Sequence, residues 1–112
     1  MSLHVGEFEQ LILFALLRLR DDAYGVTVRR EIEARTGRDV SQGAVYTALN
    51  RLEERGFVSS RTADATPERG GRRRKYYALE PLGARALHRA YTEVQVMASG
   101  VVPRLAELAE SA

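Results

Sequence analysis

The sequence predicts a mainly α-helical protein with one small β-hairpin and a long helix after it. Three observations carry that prediction. Apolar residues recur at helical spacing in three blocks before residue 56, and a polar turn containing Pro67, Gly70 and Gly71 separates two short strand-like runs. An apolar seam then runs from Leu87 to Leu108 in steps of four and three. At 112 residues the chain has room for one compact domain and one appended element, which excludes a multidomain enzyme.

From Gly6 to Leu19, Phe8, Leu11, Ile12, Ala15, Leu16 and Leu19 mark a helix, and Leu13, Phe14 and Leu17 widen its apolar stripe. Asp21 and Asp22 supply a turn and a candidate N-cap for a second helix, in which Tyr24, Val28 and Ile32 repeat until Thr36-Gly37. Ser41 offers its hydroxyl as the cap of a third helix that runs to about Arg55 and is stopped by Gly56. Phe57 to Arg61 reads as a strand, Asp64 to Gly71 as its turn and Lys75 to Leu79 as the returning strand. Glu80-Pro81 ends the hairpin, so the boundary falls between a domain at residues 1–80 and a C-terminal helix at 81–112. Gly100 and Pro103 fall inside that helix and predict a kink or a restart near Pro103.

The net charge of +2 conceals an asymmetry. Sixteen of the seventeen basic side chains are Arg, whose planar fork suits phosphate better than the Lys ammonium does. Residues 61–77 hold 6 basic and 2 acidic side chains, and the flanking segments are each slightly acidic. The excess positive charge therefore sits on the hairpin. The absence of Cys excludes disulfide scaffolds, thiolate metal sites and cysteine nucleophiles. The longest uncharged apolar run, Leu11 to Leu17, is far short of the roughly 18 residues that a membrane span needs. With no signal-like start either, the expectation is a soluble cytoplasmic protein without a membrane partner.

Three helices followed by a basic hairpin is the order of a winged helix-turn-helix. In that fold the third helix reads DNA. Val45, Ala48, Leu49 and Leu52 form its apolar face, which turns Gln42, Gly43, Tyr46, Thr47, Asn50 and Glu54 outward. Gln and Asn amides can read adenine edges, Thr and Tyr can reach a methyl group or a phosphate, and the free helix N-terminus favours an anion. Ser41, Ala44 and Arg51 complete the candidates on this helix. On the hairpin they are Arg69, Gly70, Gly71, Arg72, Arg73, Arg74 and Lys75, with Arg69 and Arg72 at the tip favoured for the minor groove or its flanking phosphates. Alternate strand residues face opposite ways, so Arg72 and Arg74 cannot share a face with Arg73 and Lys75.

The chain resembles PadR-family transcriptional regulators, a class of winged-helix repressors. The resemblance rests on GEFEQLILFALL from Gly6, DDAYGVTVRREIEARTG from Asp21, VSQGAVYTALNRLEERGFVSS from Val40 and ERGGRRRKYYALEPLGARAL from Glu68. It implies operator binding as a dimer, DNA contact by Tyr46 and its neighbours, a wing at the Arg-rich hairpin, and a second helix opened by Tyr24-Gly25, with Tyr24 among the DNA-binding candidates. It also implies that the C-terminal helix serves dimerisation. The seam itself points the same way: Leu87, Tyr91, Val94, Ala98, Val101, Leu105 and Leu108 still need a partner once the domain has closed its core, with Phe14 of the first helix beside them. The competing reading folds this helix back on helix one of its own chain. By the same resemblance a small aromatic or drug-like effector would sit at the dimer interface, lined by Tyr91, Met97 and Phe14; the plainer reading makes them dimer core.

No catalysis, cofactor or metal is expected. His4 and His88 have no acid or nucleophile placed beside them, and the adjacent pairs Asp21-Asp22 and Glu53-Glu54 point about 100° apart on a helix. The alternative from another class is a winged-helix interaction module that uses the same faces to bind an acidic protein.

Overall fold

Helix α1 (Glu7–Leu19) buries Ile12, Leu13, Ala15 and Leu16, and its first turn is closed by Glu9, whose carboxylate accepts the Gly6 backbone N–H at 2.9 Å. The computed structural model describes residues 2–63 and 73–111. A single 3-10 turn, Arg20–Asp22, leads to α2 (Gly25–Thr36). The expected Asp cap is not used. Ala23 and Tyr24 are instead extended, because the Ala23 carbonyl accepts the Tyr77 N–H at 2.8 Å and Tyr24 bridges Tyr76, so the helix starts only after them. Thr27 reaches back to take the Tyr24 N–H at 3.0 Å, and does the capping that Asp22 was expected to do.

The stops follow the sequence. Gly37 ends α2 with φ 71°, in the left-handed region that glycine adopts at no steric cost. Ser41 caps α3 (Gln42–Glu54), accepting the Ala44 N–H at 3.1 Å, and Gly56 follows α3 with φ 77°. Strands β1 (Val58–Ala63) and β2 (Arg74–Leu79) are antiparallel, with Val58 opposite Leu79 and Ala63 opposite Arg74. Tyr24 adds a single antiparallel bridge on the β2 side of this two-stranded sheet.

One core holds these elements together. Val5, Ile12, Leu16, Val28, Ile32, Val45, Leu49, Leu52, Phe57, Val58 and Tyr77 are all buried in it. Helix α4 (Pro81–Ala98) joins it through Gly83, Ala86 and Leu87. The contact at Gly83 is close: a Cβ there would lie 2.2 Å from the Phe57 carbonyl oxygen. Backbone cannot swing aside as a side-chain tip can. Gly83→Ala is therefore expected to destabilise the fold by about 1–3 kcal/mol, although alanine favours helix by about 1 kcal/mol. A urea unfolding midpoint reads the sign directly, and a rise would mean that the α4 junction is looser than the structure shows.

The C-terminal segment restarts rather than bends. Helix α4 ends at Ala98, Gly100 turns at φ 81°, and α5 (Val102–Glu110) carries Pro103 in its first turn, where a missing N–H costs nothing. No residue of α5 is buried.

Candidate nucleic-acid interface

The apolar face of α3 is spent on the core, through Val45, Ala48, Leu49 and Leu52. Ser41, Gly43, Ala44, Thr47, Asn50 and Arg51 are left exposed over its N-terminal two-thirds. Two residues expected beside them are held from behind. Gln42 is half-buried, and its carbonyl oxygen accepts from Arg29 Nε at 3.2 Å while Arg29 is also fixed by Glu33 at 2.7 Å. With the carbonyl so engaged, Gln42 Nε2 is buried and has no partner among the described residues. Tyr46, 43 % exposed, lies with its ring against the backbone of Gly25: a Cβ at Gly25 would stand 2.5 Å from Tyr46 Cε1. The first residue of α2 is thus the floor on which Tyr46 sits.

On the wing, Arg73, Arg74 and Lys75 fall within the described residues, whereas Arg69, Gly70, Gly71 and Arg72 lie outside them. Arg74 and Lys75 face opposite ways, as strand alternation requires. Arg74 stacks over the Tyr24 ring at 4.0 Å, and Arg61, its neighbour on the same face, stacks over Tyr76 at 4.6 Å. Tyr24 and Tyr76 meet edge to face at 5.5 Å, so cations and rings form one layer over the two strands and the bridging Tyr24. Arg74 also donates from Nη1 to the Tyr76 hydroxyl at 3.5 Å, and stacking leaves the remaining edge of the guanidinium fork for an anion.

Lys75 is committed elsewhere. Its ammonium pairs with Glu53 of α3 at 3.2 Å, and the other Glu53 oxygen accepts the Ser60 hydroxyl. Ser60 first, and then Lys75, hold the Glu53 carboxyl below its ordinary range, against the opposing effect of burial. Because the folded value is the lower one, this pair contributes at neutral pH and is lost only as pH falls through the folded value. Burial pushes the Tyr77 hydroxyl in the opposite direction, upward.

Residues 13–89 match the model of the Transcriptional regulator PadR-like family, more than half of the chain. The chain belongs to the PadR-like family. Among solved structures, this PadR-like chain is similar to a PadR family transcription regulator from Clostridium difficile, at 26% identity and TM-score 0.73 over 89% of this chain and 99% of that one. A PadR family regulator from Eggerthella lenta is 28% identical, with TM-score 0.67 over 88% and 86% of the two chains. A transcriptional regulator from Clostridium thermocellum, 24% identical with TM-score 0.68 over 83% and 87%, shares the fold. Among curated proteins none matches. The winged-helix architecture read from element order is thus the PadR-like one. No helix among the described residues is long and apolar enough to cross a membrane, and no group of side chains among them could hold a metal ion.

The apolar surface of this PadR-like chain is concentrated on α1, α4 and α5. Phe14, Tyr91, Val94, Val101, Leu105 and Leu108 are all exposed, and Ala98 is half-buried. Leu87 departs from that group: at 3 % exposure it belongs to the chain's own core, because α4 packs there on α1 before its outer face begins. Phe14 and Tyr91 meet edge to face at 6.0 Å and line a cleft of about 300 Å³ with Leu17, Leu79 and His88. Met97, expected beside them, lines a different cleft with His4, Gln10 and Val94. Sequence reasoning gave no role in the site to Arg61, Tyr76 or Glu53, and named Gly25 only as the start of the second helix. The pairing of Arg61 with Tyr76 was available in principle from the hairpin register, whereas the Gly25–Tyr46 and Glu53–Lys75 contacts join elements whose approach no spacing rule gives.

Proposed function

We propose that this PadR-like chain is a cytoplasmic repressor that binds a palindromic operator as a homodimer. What supports the reading is a single juxtaposition: the polar N-terminal part of α3 and the arginine-bearing wing are exposed together, while the apolar face of α4 and α5 lies uncovered. In this reading Ser41, Gly43, Ala44, Tyr46, Thr47, Asn50 and Arg51 enter the major groove, with Gln42 steadying the helix start. Tyr24, Arg73, Arg74 and the tip residues Arg69 to Arg72 take the flanking phosphates. A two-fold dimer repeats both surfaces, so the operator is an inverted repeat.

The test is a mobility-shift titration on DNA from upstream of the chain's own coding region at several salt concentrations. The expected result is an affinity that falls linearly on logarithmic axes as salt rises, since each neutralised phosphate releases counterions. Binding that ignores salt, or no binding, contradicts the proposal. Asn50→Ala is expected to cost about 1–3 kcal/mol on the operator and little on unrelated DNA, if its amide reads a base edge. Gly25→Ala acts from behind: the Tyr46 ring must leave its seat, so specific binding weakens about tenfold, or about 1.4 kcal/mol. The half-exposed ring can rotate away, so the melting temperature changes little. Unaltered operator affinity in Gly25→Ala would show that the place of Tyr46 does not matter.

A further inference from the structure

The Glu53 carboxylate sits in the last turn of α3, where the helix dipole disfavours negative charge, on the element that is to approach DNA phosphates. Neither effect accounts for an acid at this position. Its contacts do. One oxygen takes the Lys75 ammonium of β2 and the other takes the Ser60 hydroxyl of β1, so one side chain of the recognition helix holds both wing strands. Ser60 stands opposite Tyr77 and Lys75 opposite Thr62, which puts all four on the sheet face that turns toward α3. Lys75 also lies 5.5 Å from the Tyr77 ring, which extends the contact toward the core. Glu54, the next residue, is exposed and bonds to neither strand among the described residues.

We propose that Glu53 and Lys75 form a clasp that sets the wing against the recognition helix, with Lys75 a positioning residue rather than a phosphate contact. The inference rests on the DNA-binding reading above. It reassigns one of the wing cations: Arg73 and Arg74 supply charge to the DNA, and Lys75 fixes where that charge is held. The wing and α3 must engage adjacent grooves of one duplex, so the angle between them is a determinant of affinity.

Electrostatics and the clasp predict opposite signs. Glu53→Gln removes a negative charge from the DNA-facing element, and through charge alone it would tighten binding. The clasp predicts that it weakens binding about tenfold, within the range of coupling between partners of one network. The measurement is fluorescence titration of duplex DNA from the upstream region at several salt concentrations, with four proteins: the unaltered chain, Glu53→Gln, Lys75→Gln and the charge-swapped Glu53→Lys/Lys75→Glu. The expected result is a similar loss in both single variants with the salt slope unchanged, and recovery to within about twofold in the swap, which keeps the pair and the total charge. A phosphate contact by Lys75 would instead flatten the slope by about one in Lys75→Gln and leave the swap as weak as that variant. That outcome, or tighter binding by Glu53→Gln, overturns the clasp while the DNA-binding reading stands. If the unaltered chain shows no salt-sensitive binding, the DNA-binding reading fails and the clasp fails with it.

Discussion

Replacing Val94 and Leu105 together by Asp is expected to convert a dimer into a folded monomer and to weaken operator binding by about 10²–10⁴-fold. Both side chains are well exposed, at 62 % and 65 %, so the isolated fold loses almost nothing when they change. What changes is the surface. Helix α5 is nine residues long and buries none of them, yet isolated helices shorter than about 12–15 residues are marginal in water. The stripe formed by its N-cap Val101 with Leu105 and Leu108 is explained if a second copy covers it, and two carboxylates placed on that face would each have to be desolvated without a partner. Linking two reading heads makes the second contact intramolecular, which is the origin of the large factor. Sedimentation and DNA titration on the same sample check the two halves of the expectation. A variant that stays dimeric, or a monomer that binds the operator as tightly as before, rejects the α4–α5 face as the dimer surface.

Phe57→Ala is expected to cost about 3–5 kcal/mol of stability, a large share of the roughly 5–15 kcal/mol that holds a domain folded. The ring is fully buried at the corner where α3, β1 and the start of α4 meet. Its backbone is committed on both sides: the Phe57 N–H donates to the Leu52 carbonyl at 2.9 Å, and its own carbonyl accepts the Glu80 N–H at 2.9 Å. Arg55 lies over the ring at 4.2 Å and Gly83 presses on the carbonyl, so no neighbour is free to collapse into the space. The substitution loosens recognition helix, wing and C-terminal segment at once. Urea unfolding should show a lower midpoint with an unchanged slope. A loss under about 1 kcal/mol would mean that the corner relaxes and that the wing is not anchored there.

Local chemistry made the elements legible. Gly37, Ser41 and Gly56 each act on their own backbone, so helix ends could be placed from residue type, and the hairpin showed itself through alternation and a Gly-containing turn. What depended on tertiary approach was not legible. A seam of apolar residues tells which face needs cover and not what covers it, which is why Leu87 belongs to the chain's own core while Val94 faces outward. Asp22 has the chemistry of a cap, but the pairing of Ala23 and Tyr24 with β2 pre-empted it. Lys75 belongs to a run of like charges in the sequence; strand alternation already turns it away from Arg74, but only the approach of β2 to α3 gives it Glu53 as a partner. The candidate site was thus visible as a set of residue types, and its internal division of labour was not.

Protection of the upstream DNA from nuclease cleavage tests the central claim most directly, because it reports target, symmetry and stoichiometry together. The account predicts two protected half-sites related by a two-fold axis, their centres one helical turn of about 10–10.5 base pairs apart or a multiple of it, filled at two chains per site and lost as salt rises. Retention of one acidic protein partner, with no protected sequence at any salt concentration, would contradict it.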